Sequence, residues 1–314
     1  MKLSIVIPVF DEQENIPEMY RRLLAVLPAL ADEFEILFVD DGSRDDSARR
    51  IEALCRQDPR VKAIFLSRNF GHQRALTAGL DHATGDAVVV MDADLQHPPE
   101  LLHEMVRLWR DGYEIVYTLR QPARHLSWWK RSTAALFYRT FHWLSRVDLP
   151  FNAADFRLFD RKVVMSLRRI RERARFLRGL TGWMGFRSIG VSYEVRPRFS
   201  GQSHYGVLGM IHLAVDGIVS FSTKPLYLSI YVGFALAVAG LFYGVFAVYA
   251  RLVTHRVIPG WTSLLTLFAL IGGIQLILMG VIGIYIGRIY EEVKQRPLYL
   301  IRKALGISEK EILL

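Results

Sequence analysis

Two stretches of this chain carry no charge at all: Leu226 to Ala250, 25 residues, and Thr262 to Gly287, 26 residues. About 20 apolar residues suffice to cross a bilayer as a helix. A core helix of a soluble domain rarely stays uncharged for so long, so both stretches are read as membrane helices. The link between them, Arg251 to Trp261, is short, so they are expected to form a hairpin that returns the chain to the side it left. Positive charge marks the cytoplasmic side. Arg288, Lys294, Arg296, Arg302 and Lys303 follow the hairpin, against Arg251 and Arg256 in its loop. At the other end, the apolar run Leu3 to Phe10 is too short for the core of a secretory leader, and Asp11, Glu12 and Glu14 follow at once. The part before the hairpin is therefore expected in the cytoplasm. Cys55 is the only cysteine, which excludes an intrachain disulfide and a thiolate metal cluster.

Residues 1–118 alternate two patterns. Leu3–Val9, Glu35–Val39, Val61–Leu66, Ala87–Met91 and Ile115–Thr118 read as strands. Between them lie helical spacings over Asn15–Leu30, Asp45–Cys55 and about 73–83, and one opened by Pro98 or Pro99. Strands separated by helices predict βαβ units and a mostly parallel sheet. Ligands of such sheets bind at the carboxyl ends of the strands, and Asp40, Asp41, Asp92 and Asp94 all fall there. Asp92 and Asp94 stand one residue apart after an apolar strand. Two carboxylates that close repel, and a proton or a cation relieves them. Hard oxygen ligands suit Mg²⁺ or Mn²⁺, which such sites share with substrate phosphates. A solvated turn is the competing reading for an isolated Asp-x-Asp.

The net charge of +9 is concentrated in one place. Gln121 to Lys224 holds 18 Lys+Arg against 6 Asp+Glu, so the rest of the chain is slightly acidic. A basic block just before membrane helices reads as contact with anionic lipid headgroups rather than with nucleic acid. Ser132 to Val147 fits an amphipathic interfacial helix, preceded by Trp128 and Trp129, and Tyr205 to Phe221 is a second interfacial candidate. A core helix competes with the first of these. The resulting division is 1–118 and 119–224 as two halves of one α/β domain, 225–290 as the hairpin and 291–314 as a basic tail. Gly240-x-x-x-Gly244 and Gly283-x-x-x-Gly287 permit close helix packing. They leave open whether the chain forms a homo-oligomer.

Five motifs now stand in order: Ser4-Ile-Val-Ile-Pro-Val-Phe-Asp-Glu-Gln-Glu-Asn15, Phe38-Val-Asp-Asp-Gly-Ser43, Asn69-Phe-Gly71 with Gly79, Met91-Asp-Ala-Asp-Leu-Gln-His-Pro-Pro99 and Ala154-Asp-Phe-Arg-Leu-Phe-Asp160. With Arg198-Phe-Ser-Gly-Gln-Ser-His-Tyr205 and the hairpin, the chain resembles the family 2 glycosyltransferases of GT-A (Rossmann-like) fold. Within them it is similar to the polyprenyl-phosphate transferases, which include dolichol-phosphate mannose synthases and bacterial glucosyl-carrier enzymes. The resemblance implies an inverting, metal-dependent transfer of a sugar from a nucleotide sugar to undecaprenyl or another polyprenyl phosphate, at the cytoplasmic face of the inner membrane. UDP-glucose is the first donor to consider, ahead of UDP-N-acetylhexosamine, UDP-aminoarabinose or GDP-mannose.

The resemblance also implies roles for particular residues. Pro8, Val9, Phe10, Glu12, Asp40 and Asp41 would hold the nucleotide, with an Asx-turn as the rival role for the aspartate pair. Asp92, Asp94 and Gln96 match the metal and diphosphate motif. Asp155 matches the position usually proposed as catalytic base. An ionised phosphate nucleophile scarcely needs a base, so orienting a basic residue or the acceptor stays open for Asp155. Arg120 and Arg131 resemble arginines that meet the acceptor phosphate, and Arg198 and Ser203 match a loop closing over donor and acceptor. His204 departs from a pattern that often has lysine. Processive synthases share the nucleotide-binding half but carry a Gln-x-x-Arg-Trp motif, which this chain lacks. Transfer to a diacylglycerol acceptor, or a non-catalytic role as a membrane scaffold, would compete with the polyprenyl-phosphate function.

Overall fold

The computed structural model describes residues 1–120, 153–173, 175–193, 222–254 and 260–307. These fall into two units: a sheet with its flanking helices, and a pair of long helices.

The sheet unit starts with four strands that the apolar runs dictate: β1 (Lys2–Val9), β2 (Glu33–Asp40), β3 (Val61–Leu66) and β4 (Ala87–Val90). Continuous apolar runs suit strands covered on both faces, and all four residues of β4 are buried. α1 (Asn15–Val26), α2 (Ser47–Gln57) and α3 (His72–His82) connect them. On α1, Ile16, Met19, Leu23 and Val26 turn one face into the core. α1 ends four residues before the expected Leu30, because Pro28 lies in a 3₁₀ turn over Leu27–Ala29. α3 lies tight against β1. A methyl group at Gly79 would sit 2.1 Å from Val6 Cγ1, so the close approach requires glycine there.

After α4 (Leu102–Arg110), β5 (Ile115–Arg120), β6 (Ala153–Asp160), α5 (Arg161–Arg169), α6 (Leu177–Trp183) and β7 (Ser188–Tyr193) complete one side. The strand order is β7-β5-β6-β4-β1-β2-β3-β8. β4, β1, β2 and β3 are mutually parallel, as the alternating pattern predicts. β6 is inserted antiparallel between β4 and β5, so β5 does not neighbour β4. Local patterning carries no signal for that insertion, because it is a pairing between residues far apart in sequence.

Residues 291–314, expected as a tail, contain the eighth strand: β8 (Ile301–Leu305) pairs antiparallel with β3 at the sheet edge. Its sequence, Ile-Arg-Lys-Ala-Leu, has the charged centre that edge strands use against aggregation, which makes it read as tail.

The second unit is α7 (Lys224–Thr254) and α8 (Trp261–Val293). Lys224–Phe246 and Leu270–Val293, with mean hydropathies of 1.9 and 2.1, are long and apolar enough to cross a membrane. Their large side chains, such as Phe234, Phe242, Leu276 and Met279, are exposed. A surface of that kind is stable in lipid rather than in water. Tyr285 Oη donates to Ser222 O at 2.6 Å, tying the start of one helix to the other. The expected segments Ser132–Val147 and Tyr205–Phe221 lie outside the described residues.

Glu35 is the sheet unit's principal buried carboxylate away from the strand ends that carry the motifs. Ser4 Oγ donates to it at 2.5 Å, Thr84 N at 2.7 Å and Thr84 Oγ1 at 2.9 Å, and Lys62 Nζ lies 2.7 Å away. Burial works against its charge, but Lys62, Ser4 and Thr84 together hold its pKa at about 2. A lowered folded-state pKa stabilises above the unfolded value of about 4.3, and that stability is lost as pH falls toward 2. We therefore expect Glu35→Gln to cost about 2 kcal/mol at pH 7. In thermal unfolding, its deficit against wild type should shrink steadily between pH 5 and pH 2.

Candidate active site

The carboxyl ends of β1, β2 and β3 are stitched together by their loops. Asp41 N donates to Val9 O at 2.8 Å. Asp11, in the left-handed region at φ 55°, accepts from Arg44 N at 2.7 Å, and its own N–H donates to Ser43 Oγ at 3.1 Å. Glu12 N donates to Ser47 Oγ at 3.0 Å, and its carboxylate accepts from Asn15 Nδ2. Pro8 and Val9 end β1 and are buried, with Phe10 just beyond. The predicted nucleotide residues Pro8, Val9, Phe10, Glu12, Asp40 and Asp41 thus lie at the adjoining ends of β1 and β2 and on the loops that follow.

The two aspartates of the pair do different work. Asp41 accepts from Phe70 N at 2.7 Å and Gly71 N at 2.8 Å, so both its oxygens clamp the loop after β3. Asp40 accepts from Ser43 N at 3.3 Å and faces a cavity. Burial pushes both carboxyls upward, opposed at Asp41 by the two backbone N–H groups. Gly42, at φ 73°, closes this corner. A side chain there would meet the backbone of Arg68 and Asn69 at 2.6–2.8 Å.

Beyond β4, Asp92 enters a cluster of alternating charge. His72, the first residue of α3, has Nε2 3.4 Å from Asp92 Oδ1 and 3.6 Å from Asp155 Oδ2. On the other side of Asp155, Arg178 is bidentate, with Nε and Nη2 at 2.7 and 2.8 Å. Asp92 Oδ2 lies 3.2 Å from His97 Nε2, and His97 Nδ1 lies 2.9 Å from Tyr193 Oη. With Nε2–H directed at the carboxylate, Nδ1 accepts from the tyrosine hydroxyl. Arg157, buried on the same strand as Asp155, donates to Ala154 O and to Thr181 Oγ1, so two arginines cross-link β6 and α6. Burial lowers its pKa to about 10.

Electrostatics follow from this alternation. Burial opposes the charge of His72, yet Asp92 and Asp155 raise its pKa to about 9. Burial opposes that of Asp155 too, but His72 and Arg178 hold its carboxyl well below the usual range. Asp92 is likewise lowered, by His72 and His97, against its burial.

Asp94 is buried and accepts from Gln96 N at 3.1 Å across Leu95, which is held at φ 60°. A non-glycine residue in that region is a sign of a strained, functional turn. Asp92 Oδ1 is a buried oxygen without a hydrogen bond. A buried carboxylate oxygen and a second carboxylate on one turn are donors suited to a hard divalent cation that completes its shell with phosphate oxygens. Among the described residues no group of three or more His, Cys, Asp or Glu could hold a metal by itself.

Of the remaining predicted residues, Arg120 ends β5 opposite Tyr193, which places it beside the His97 end of the cluster. Arg131, Arg198 and Ser203, with His204, lie outside the described residues. The sequence reading missed His72, His97, Tyr193 and Arg178. His72 follows directly on the motif Asn69-Phe-Gly71, and His97 lies inside the run Met91 to Pro99. Arg178 had no signal within its basic surroundings.

The family model described as glycosyl transferase family 2 matches residues 4–168. An uncharacterized glycosyltransferase of Bacillus subtilis, YkcC, is 45% identical over 99% of this chain and 97% of its own length. The bactoprenol glucosyl transferase of Shigella phage SfII is 40% identical over 97% of this chain and 98% of its own. Among solved structures, glucosyl-3-phosphoglycerate synthase from Mycobacterium tuberculosis, in complex with Mn²⁺, UDP and phosphoglyceric acid, aligns with a TM-score of 0.49 at 17% identity, over 69% of this chain and 76% of that one.

The Asp155–Arg178 pair is partly shielded from water, so removing one partner strands the other. Asp155→Asn and Arg178→Met should each cost about 1–3 kcal/mol in chemical unfolding of the full-length protein. The double variant should cost less than the two combined, by about 1 kcal/mol. Additive losses would mean that the two side chains do not interact.

Proposed function

Because the chain belongs to glycosyl transferase family 2, we propose that it moves a hexose, glucose first among candidates, from a UDP-sugar to undecaprenyl phosphate at the cytoplasmic face of the membrane. The observation that carries this reading is the Asp92/Asp94 strand end joined to the Asp155–Arg178 pair, in a chain that also has two helices of membrane length. The glucosyl transfer to bactoprenol named for the phage relative supports the acceptor and the sugar.

The chain's path supports the topology. β8 shares a sheet with β1, so the chain re-enters the sheet unit after α7 and α8. Two crossings satisfy that connectivity and one does not.

In the proposed reaction a phosphate oxygen of the lipid attacks the anomeric carbon. The bond from that carbon to the nucleotide's oxygen breaks, and the nucleoside diphosphate leaves with the electron pair. A single displacement inverts the anomeric centre, so an α-linked donor gives a β-linked lipid phosphate. A divalent cation (Mg²⁺ or Mn²⁺), held by Asp92 and Asp94 with the donor diphosphate, would supply the charge neutralisation the leaving group needs. Glu12 and Asp40 hold the nucleoside, and Gln96 stabilises the Asp94 turn. Arg120, with Arg131 and Arg198, offsets repulsion between the two anionic substrates, and Ser203 shares with Arg198 the loop that closes over them. A phosphate monoester is mostly ionised at pH 7, so no proton has to be removed from the nucleophile. We therefore assign Asp155 to positioning: it fixes Arg178 and, through His72, Asp92.

The test incubates the purified full-length chain with undecaprenyl phosphate and labelled nucleotide sugars, in Mg²⁺, Mn²⁺ or EDTA. Label should reach the lipid from UDP-glucose and stop with EDTA, and Asp94→Ala should lower transfer at least about 100-fold. Transfer that survives EDTA would remove the metal from the mechanism, and no transfer from any donor would remove the acceptor. If Asp155 positions, Asp155→Asn and Arg178→Ala should reduce transfer similarly, by about 10- to 100-fold. A base role would leave Arg178→Ala far more active than Asp155→Asn.

A further inference from the structure

The strand that follows the long helices brings its own side chains to the nucleotide end of the sheet. β8 pairs with β3, but the register slips: Leu66 faces Ile301 while Phe65 faces Lys303. Arg302 is the extra residue of a β-bulge. Side chains of a regular strand alternate between faces, and a bulge breaks that alternation and re-aims a side chain. Here it turns the consecutive residues Arg302 and Lys303 into one cavity of about 240 Å³. Asp40, Ser43 and Arg68, from the loops after β2 and β3, line it as well.

The two cations differ in what they have left to give. Lys303 Nζ is 2.8 Å from Glu52 Oε1 and stands over the Phe65 ring, so its charge is answered locally. Arg302 Nη2 donates to Ser67 O at 2.6 Å, and Ser67 N donates to Leu300 O at 2.9 Å. That spends one of the five N–H donors of a guanidinium. Asp40 and Glu52 would repel a diphosphate here, whereas a flat ring with adjacent N–H and C=O groups meets a carboxylate acceptor and a guanidinium donor. The cavity is also smaller than the roughly 300–1,000 Å³ of a site for a whole drug-sized ligand.

We propose that this cavity receives the base of the donor nucleotide, and that Arg302 reads a ring carbonyl while Asp40 accepts the neighbouring ring N–H. The assignment rests on the nucleotide-sugar reading given above. It makes donor recognition depend on a strand that the chain reaches only after both long helices. Arg302 is exposed on an edge strand, so its replacement should leave the fold intact.

The experiment is calorimetric titration of the full-length protein in detergent, with Mn²⁺, using UDP, GDP and inorganic pyrophosphate. Wild type should bind UDP. Arg302→Ala should weaken UDP about tenfold or more, and GDP likewise if it binds, with pyrophosphate binding unchanged. Arg302→Lys should recover part of the loss. If Arg302→Ala fails to fold, Arg302→Gln, whose amide still reaches toward Ser67 O, carries the same test. Unchanged UDP affinity in the variant, or an equal loss on pyrophosphate, would overturn the role of Arg302 while leaving the nucleotide-sugar reading intact. Failure of wild type to bind any nucleoside diphosphate would instead overturn that reading, and this assignment with it.

Discussion

Charge alternation across the end of the sheet that carries the candidate site is the constraint on which the rest depends. Asp92 and Asp155 come from neighbouring strands and would repel each other in a site partly closed to water. His72 stands between them, Arg178 backs one and His97 the other. Each charge is paired, so the row can persist at low dielectric, where an unpaired member would cost several kcal/mol. The antiparallel insertion of β6 beside β4 brings Asp155 within reach of His72, which also approaches Asp92.

Backbone geometry supports that row from behind. Asp41 spends both oxygens on the loop that leads into α3, and α3 begins with His72. The position of His72 is thus set in part by a carboxylate that holds the loop leading into its helix. Gly42 and Gly79 permit the two closest approaches, loop against loop and helix against strand. A side chain at Gly42 would meet the loop that leads into α3, and one at Gly79 would meet β1.

The long helices impose a different demand. They are long and apolar enough to cross a membrane, and the sheet that precedes them is completed by a strand that follows them. The sheet is therefore complete only with a segment that follows both long helices, paired through β3 and β8. The bulge at Arg302 places a consequence of that linkage beside Asp40.

Much of this was legible in the residues. Uncharged length marks α7 and α8, because hydrocarbon excludes charge whatever the tertiary contacts. Apolar runs mark β1 to β4, and acidic ends mark where ligands go, because a parallel sheet leaves only its strand termini open. The motifs around Asp40, Asp92 and Asp155 pointed to the family. What the sequence could not supply was partnership between distant positions: β6 beside β4, β8 beside β3, Arg178 on Asp155, and His72 between two aspartates. Those pairs are set by register and packing across long stretches of chain, and no local periodicity encodes them. The amino acids alone determined which chemistry this protein could hold. Tertiary structure decided which carboxylate clamps a loop, which keeps its charge through an arginine, and which is left to line a cavity, because those roles depend on neighbours that only folding supplies.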